Sequence, residues 1–287
     1  MAEEKTIAGV TKIILHSYNL DGSLVSLTYP DGRTVNYTYS GAQRPLTAVG
    51  ASGTNYAQNA TYWPQGALDQ DLHGYVSGGF GGITESWSYN PDLEPTSISA
   101  SSSAGSALNL SYGFANNGSV TSIGNGNDSG RNESFSYDPL GRILQAQTQA
   151  GSGQDCWGLN FGTGGNLADD ALGNLLSMSV FKCSGPSLSV SVNGNNQISS
   201  SGFSYDADGD MTADALYSYT FNGANEITSA NGVNYTYDGN GLRVEKSSGT
   251  LFWRAYTGQV IEETNASGGM QRDYINFAAD PGSPPST

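Results

Sequence analysis

The chain has 287 residues and a formal net charge of -15, with 11 Lys and Arg against 26 Asp and Glu. Basic residues this few and this scattered form no patch to neutralise a phosphate backbone or an anionic bilayer, which excludes nucleic acid as a partner. No apolar run is long enough to cross a bilayer as a helix, so no membrane insertion is expected. Gly 39, Tyr 17 against Phe 9, and abundant Ser, Thr and Asn suit sheets with many turns. The expected fold class is all-β, in a chain long enough to bury a real core.

In chain order, residues 1–17 read as an N-terminal strand segment. "TIAGVTKIILHSYN", Thr6–Asn19, is apolar and strand-like, with no turn pair before Asp21-Gly22. The opening residues do not resemble a secretory signal, which leaves a removed signal, a fragment or another export route as alternatives. From Tyr18 onward one pattern recurs: an aromatic, a small polar residue, two variable residues, Gly, then an apolar residue. It begins at Tyr18 ("YNLDGSL"), Tyr62, Phe114, Tyr137 ("YDPLGRI"), Tyr205 ("YDADGDM") and Tyr237 ("YDGNGLRV"), with looser copies at Tyr29, Tyr39, Tyr89, Asp169, Phe221 and Tyr256. A fixed self-similar unit decides the fold before any local propensity does.

Each position has a physical role. Asp138, Asp206 or Asp238, following Tyr137, Tyr205 or Tyr237, can accept a backbone N–H bond two residues on. Gly141, Gly209 or Gly241 supplies the left-handed conformation that closes a short hairpin with the right twist. Asn225 suits that position, whereas Leu93 does not, so its turn is expected to be built differently. Flanks such as "VNYTY", "YSYTF" and "SLSVSV" (Ser187–Val192) alternate with period two, as half-buried antiparallel strands do.

Two stretches break the rhythm. "SISASSSAGSALNL", Ser97–Leu110, reads as a longer loop or two weak strands. The span 145–186 is Gly-rich and holds both cysteines, so it reads as an insertion tied by a Cys156–Cys183 disulfide; two buried free thiols are the alternative. Residues 276–287, with "DPGSPPST", form a terminal tail that cannot continue a ladder.

These motifs resemble the YD-repeat, or Rhs-repeat, family, whose consensus carries Tyr-Asp, then Gly-Arg and an apolar residue. "YDPLGRI" at Tyr137–Ile143 is the nearest copy, and the likeness covers most of Tyr18–Ile275. The resemblance implies a long antiparallel β-ribbon that spirals into a shell. Large members enclose a C-terminal toxin or present an adhesive surface at a cell boundary. Residues 18–275 would then form one repeat domain of a partial shell.

No catalytic motif is present: GxSxG, HExxH, P-loop and strand-GxGxxG-helix patterns are all missing. His16, in an apparent strand, and His73, in "DQDLHGY", read as structural polar residues. The carboxylate groups Asp69 with Asp71, Asp169 with Asp170, Asp206 with Asp208 and Asp210, and Glu262 with Glu263 are the only candidates for glycoside hydrolysis. Several lie in turns, where capping explains them. "DADGD", Asp206–Asp210, faintly resembles a calcium loop, yet it lacks the distal Glu, so turn capping is favoured and no cofactor is expected. Trp87 and Trp253 lie in alternating strands and read as core. Trp63 and Trp157, placed in probable turns, are the candidates for stacking on surface glycans. Arg33, Arg142 and Arg243 follow turn glycines and are expected to pair with a turn Asp of an adjacent hairpin. The resulting expectation is an extracellular or cell-surface structural protein without catalysis. A ribbon too short to close on itself leaves open strand edges, through which it would self-assemble into oligomers or filaments.

Overall fold

A computed structural model describes residues 1–162 and 172–277. The repeat copy at Asp169, the Asp169–Asp170 pair and most of the tail lie outside them. The described residues form 25 strands and one three-residue 3-10 turn, Ser129–Arg131, so the expected all-β class holds. They fall into two compact units, Met1–Gly82 with Ser201–Thr287 and Ile83–Ser200. The sequence reads as one repeat domain because the repeat runs through both boundaries without a change in composition.

The first unit opens with β1 (Ala2–Ile7), β2 (Val10–Tyr18), β3 (Leu24–Thr28), β4 (Thr34–Tyr39), β5 (Pro45–Gly50), β6 (Asn55–Tyr62) and β7 (Leu68–His73), each antiparallel to the next. The strand-like N-terminal run is a hairpin and not one strand. Ala8 and Gly9 both take positive φ (48° and 80°) and reverse the chain, so that Ile7 faces Val10. The two-residue loop with both φ positive matches the right-handed twist of its strands. No Asp marks it, which is why the sequence hides it.

The second unit carries β8 (Ile83–Tyr89), β9 (Pro95–Ser102), β10 (Gly105–Phe114), β11 (Val120–Asn125), β12 (Glu133–Tyr137), β13 (Ile143–Thr148), β14 (Trp157–Phe161), β15 (Ser177–Cys183) and β16 (Leu188–Ser189), again antiparallel in chain order. The small-residue stretch Ser97–Leu110 lies within β9 and β10, which run for 8 and 10 residues. "SLSVSV" is shorter than its alternation suggests: β16 holds two residues, followed by an isolated Val192–Ile198 bridge. Cys156 and Cys183 form a disulfide with Cα atoms 5.8 Å apart.

The chain returns to the first unit with the hairpin β17 (Phe203–Tyr205) and β18 (Met211–Asp214). The ladder β19 (Tyr219–Phe221), β20 (Ile227–Ala230), β21 (Val233–Tyr237), β22 (Arg243–Lys246), β23 (Thr250–Arg254), β24 (Val260–Asn265) and β25 (Met270–Asp273) follows. Here N- and C-terminal strands share one core: Ile14, Leu27, Tyr29, Val35, Tyr37, Ala48 and Ala57 pack with Ala255 and Ile261. Trp253 is fully buried and donates its Nε1–H to Thr264 Oγ1 at 2.9 Å. The buried indole N–H thus has the partner it needs.

One turn serves nearly every hairpin. Asp138 donates its N–H to the Arg142 carbonyl and accepts the Gly141 N–H at its own carbonyl, while Gly141 sits at φ 78°. This is a three-residue loop: a type I turn followed by a left-handed residue that makes a bulge. The Asp138 side chain braces it further, with Oδ1 accepting from Leu140 N at 2.9 Å and Arg142 N at 2.8 Å. Asp206 and Asp238 accept from the corresponding two amides of their own turns. Leu93 (φ 66°) and Gln43 (φ 60°) adopt the left-handed position in turns of the same hydrogen-bond pattern. The turn at Leu93 is therefore not built differently. Asn90 Oδ1, bonded to Asp92 N and Glu94 N, fixes it against the cost of a side chain there.

The bulge follows each turn, and it sets which side chains meet. Tyr137 faces Ile143 across the strands, as Tyr18 faces Leu24 and Tyr39 faces Pro45. The aromatic and the apolar residue of the repeat are thus a cross-strand pair. The hydroxyl reaches one copy back: Tyr39, Tyr62, Tyr137 and Tyr237 donate to the carbonyls of Leu24, Pro45, Val120 and Ile227. Each acceptor is the apolar residue after the previous turn at the same end of the ladder. That bond explains a preference for Tyr over Phe.

Candidate functional site

The alternation of β2 places Ile14, His16 and Tyr18 on the inner face of the first unit. Tyr37 and Tyr39 of β4 stand on the same side, and the turn after β23 brings Ala255, Tyr256 and Gln259 against them. Together with Asn276 and Phe277 these residues surround a cavity of about 80 Å³. His16 and Tyr18 lie nearly parallel, 8° between ring planes with centroids 6.1 Å apart. Tyr256 meets both edge-on, at 5.5 and 6.0 Å.

Burial dominates the electrostatics. It lowers the His16 pKa, the Glu3 carboxylate opposing, and the Met1 amine and Lys5 add to the lowering, so the imidazole is neutral at pH 7. Burial likewise raises the phenols of Tyr18 and Tyr39, the latter to about 12. Glu3 Oε1 stands 3.2 Å from His16 Nε2, but the alignment is too poor for a hydrogen bond. His16 Nδ1 has no partner, and the Tyr18 hydroxyl has only a loose approach to Tyr256.

A polar seam ties the β3–β4 turn to the last two strands. The Tyr29 hydroxyl donates to the Tyr274 carbonyl at 2.9 Å, the Asp31 amide donates to Glu262 Oε2 at 3.0 Å, and Arg33 is ion-paired with Asp273. Lys5 donates to the Arg254 carbonyl at 2.7 Å. Glu262 is fully buried, and desolvation, with the nearby Asp31 charge, raises its pKa to about 7. Glu262 and Glu263 are adjacent on β24 and point to opposite faces, where Glu263 accepts from the Tyr274 hydroxyl. They do not face one another across a substrate-sized gap.

The remaining sequence candidates are dispersed. Trp63 occupies the first position of its turn, half-buried, and its carbonyl accepts from Arg44. Trp157 is not in a turn: it begins β14, half-buried, paired with Cys183. The flanking glycines suggested a loop, but the disulfide holds the segment in the ladder. Asp69 accepts from Thr61, and Asp71 is buried 2.9 Å from His73 Nε2. Arg142 Nε pairs with Asp138 of its own turn at 2.7 Å, not with a neighbouring hairpin. The Arg243 guanidinium instead lies over the Tyr235 and Phe252 rings, each at 5.1 Å. A residue one step past the turn is carried onto the face of the sheet, out of reach of the turn carboxylate. Arg33 reaches a distant hairpin through Asp273. Sequence reasoning missed the ring cluster. The Ile14-x-His16-x-Tyr18 alternation signals one face of it, and nothing local pairs that face with Tyr256.

No family model matches the chain, and no curated protein does. Solved structures do. The Tc holotoxin pore of Photorhabdus luminescens superposes with a TM-score of 0.68 at 17% identity, over 86% of this chain and 14% of that one. The two share an antiparallel ladder of YD-repeat hairpins. A TcdB2–TccC3–TEV structure gives a TM-score of 0.65 at 14% identity, and TcdB2–TccC3–Cdc42 gives 0.58 at 13%. They cover 92% and 91% of this chain, which spans 18% of either. At these identities the likeness is one of YD-repeat fold.

Proposed function

We propose that the chain is an extracellular structural protein, a length of YD-repeat wall that associates with further copies or further repeats through open strand edges. The observation that carries this reading is the uniform hairpin laid strand by strand in chain order, with the TM-score of 0.68 to the Tc holotoxin pore structure. The inner face of β2 is already covered by C-terminal strands, so pairing falls to the outer edges. Among the described residues β1 pairs only with β2, and β25 only with β24. Both edges carry charge, Glu3, Glu4 and Lys5 on β1 and Arg272 and Asp273 on β25, so the strand that adds there is one whose charges complement them.

Light scattering and negative-stain microscopy over a concentration series test the reading. Ordered filaments or a defined oligomer are expected, weakened when Thr6→Lys and Met270→Lys place charge on the two edges. A monomer at every concentration would refute self-association. A glycan array on the same sample serves the competing surface-binding role: binding lost in Trp63→Ala or Trp157→Ala would replace assembly as the function.

A further inference from the structure

We propose that the ring-lined cavity of the first unit binds an alkylated ammonium group, such as a methylated amine on a side chain or a headgroup. Six rings line it: His16, Tyr18, Tyr37, Tyr39, Tyr256 and Phe277. No Lys, Arg, Asp or Glu lines it, and His16 is kept neutral by burial, so an anion would meet no counter-charge. Glu3, 3.2 Å from His16 Nε2, is paired with Lys5 at 3.0 Å. The net charge of -15 repels anions from the mouth and draws in cations.

Size narrows the choice. A cavity of about 80 Å³ is well below the roughly 150 Å³ of a dry cavity that accepts benzene, so a pyranose ring does not fit inside. A quaternary head is about as bulky as benzene, so it seats at the mouth against the rings with only part of it enclosed. Aromatic faces attract such cations through their quadrupoles, and the attraction is stronger where water is excluded. His16 is 4% exposed and its Nδ1 has no partner, so polar capacity remains at the wall for an attached hydroxyl or ester. Tyr256, 54% exposed, closes one side edge-on to His16 and Tyr18.

Isothermal titration of the full chain with choline and with 3,3-dimethyl-1-butanol, its neutral isostere, tests the proposal. Saturable choline binding is expected, with the isostere about tenfold weaker or worse. Tyr256→Phe should retain the site and Tyr256→Leu should lose about tenfold, since Leu keeps the apolar bulk and removes the ring face. Both variants alter an exposed residue, and circular dichroism checks that each is folded. Trimethyl-lysine amide and glycerophosphocholine then distinguish a protein source from a lipid one. Equal affinity for choline and its isostere, equal affinity of the Leu and Phe variants, or no saturable binding by the folded chain would overturn the assignment.

Discussion

The two units are written in one repeat and stabilised in different ways. In the first, strands from both ends of the chain face each other, and large side chains disappear between them: Ile14, Tyr29, Val35, Leu251, Trp253 and Ile261 are all fully buried. In the second, the buried hydrophobic residues among those described are Ala100, Ala146 and Cys156. The same Tyr-Asp-x-x-Gly hairpin thus gives a ladder everywhere and a deep core only where a second layer lies over it. A ladder alone satisfies the backbone but leaves side chains half-solvated, and a crosslink is then one way to add stability. The second unit has its disulfide where the first has Trp253.

Trp253→Ala tests this contrast most severely. It leaves a cavity and orphans Thr264, and a loss of about 3–5 kcal/mol is expected, confined to the first unit. Urea unfolding followed by hydrogen exchange should find β23 and β24 deprotected and β9 and β10 unchanged. Reducing Cys156–Cys183, whose half-cystines are 27 residues apart, should cost about 3–4 kcal/mol in the loop-entropy model, with the reverse pattern of exchange. If reduction destabilises the first unit as much as the second, the two are not separate in stability.

Glu262 sharpens the comparison through pH. Its native pKa is raised from 4.5 to about 7, chiefly by burial. The favourable protonated form is fully present below the unfolded pKa, so its contribution is lost as pH rises from about 4.5 through 7. Glu262→Gln should remove that decline: its urea midpoint should exceed that of the wild type at pH 7.5 and approach it near pH 4. A wild-type slope that survives the substitution would assign the pH dependence to other groups. The smallest expected effect is Tyr137→Phe in the second unit, about 1 kcal/mol for the hydroxyl bond to Val120 at unchanged ring packing. Thermal melts of this variant against Phe114→Tyr would separate the hydroxyl's contribution from that of the ring.

Much of the ladder was legible because its determinants are local. An Asp that can bond its own turn, a Gly that tolerates positive φ and a period-two flank each act within about eight residues. Legibility failed where unexpected residues adopted a positive φ. Leu93 holds the glycine position in a turn that Asn90 braces as Asp138 braces its own, and Ala8-Gly9 closes a hairpin with no acidic residue. Two of the looser copies also slip, Tyr29 by one residue and Tyr256 by two. Tyr29 and Tyr256 occupy turn positions themselves, since Tyr29 and Ala255 donate the N–H bonds that close those loops. An aromatic identifies a hairpin but does not by itself fix the register.

An all-β chain of repeated hairpins, and the residues that turn them, can be read from residue order alone, because those choices depend on backbone conformation and hydrogen bonds a few residues long. The composition also makes the chain acidic and poor in basic patches. Only the tertiary structure decided which hairpins share a core. Tyr256 reaches His16, and Glu262 reaches Asp31, across more than two hundred residues of intervening chain. No local periodicity encodes that meeting. Burial of Glu262 and the ring-lined cavity both follow from it, because desolvation and enclosure are properties of two surfaces brought together, not of either strand alone.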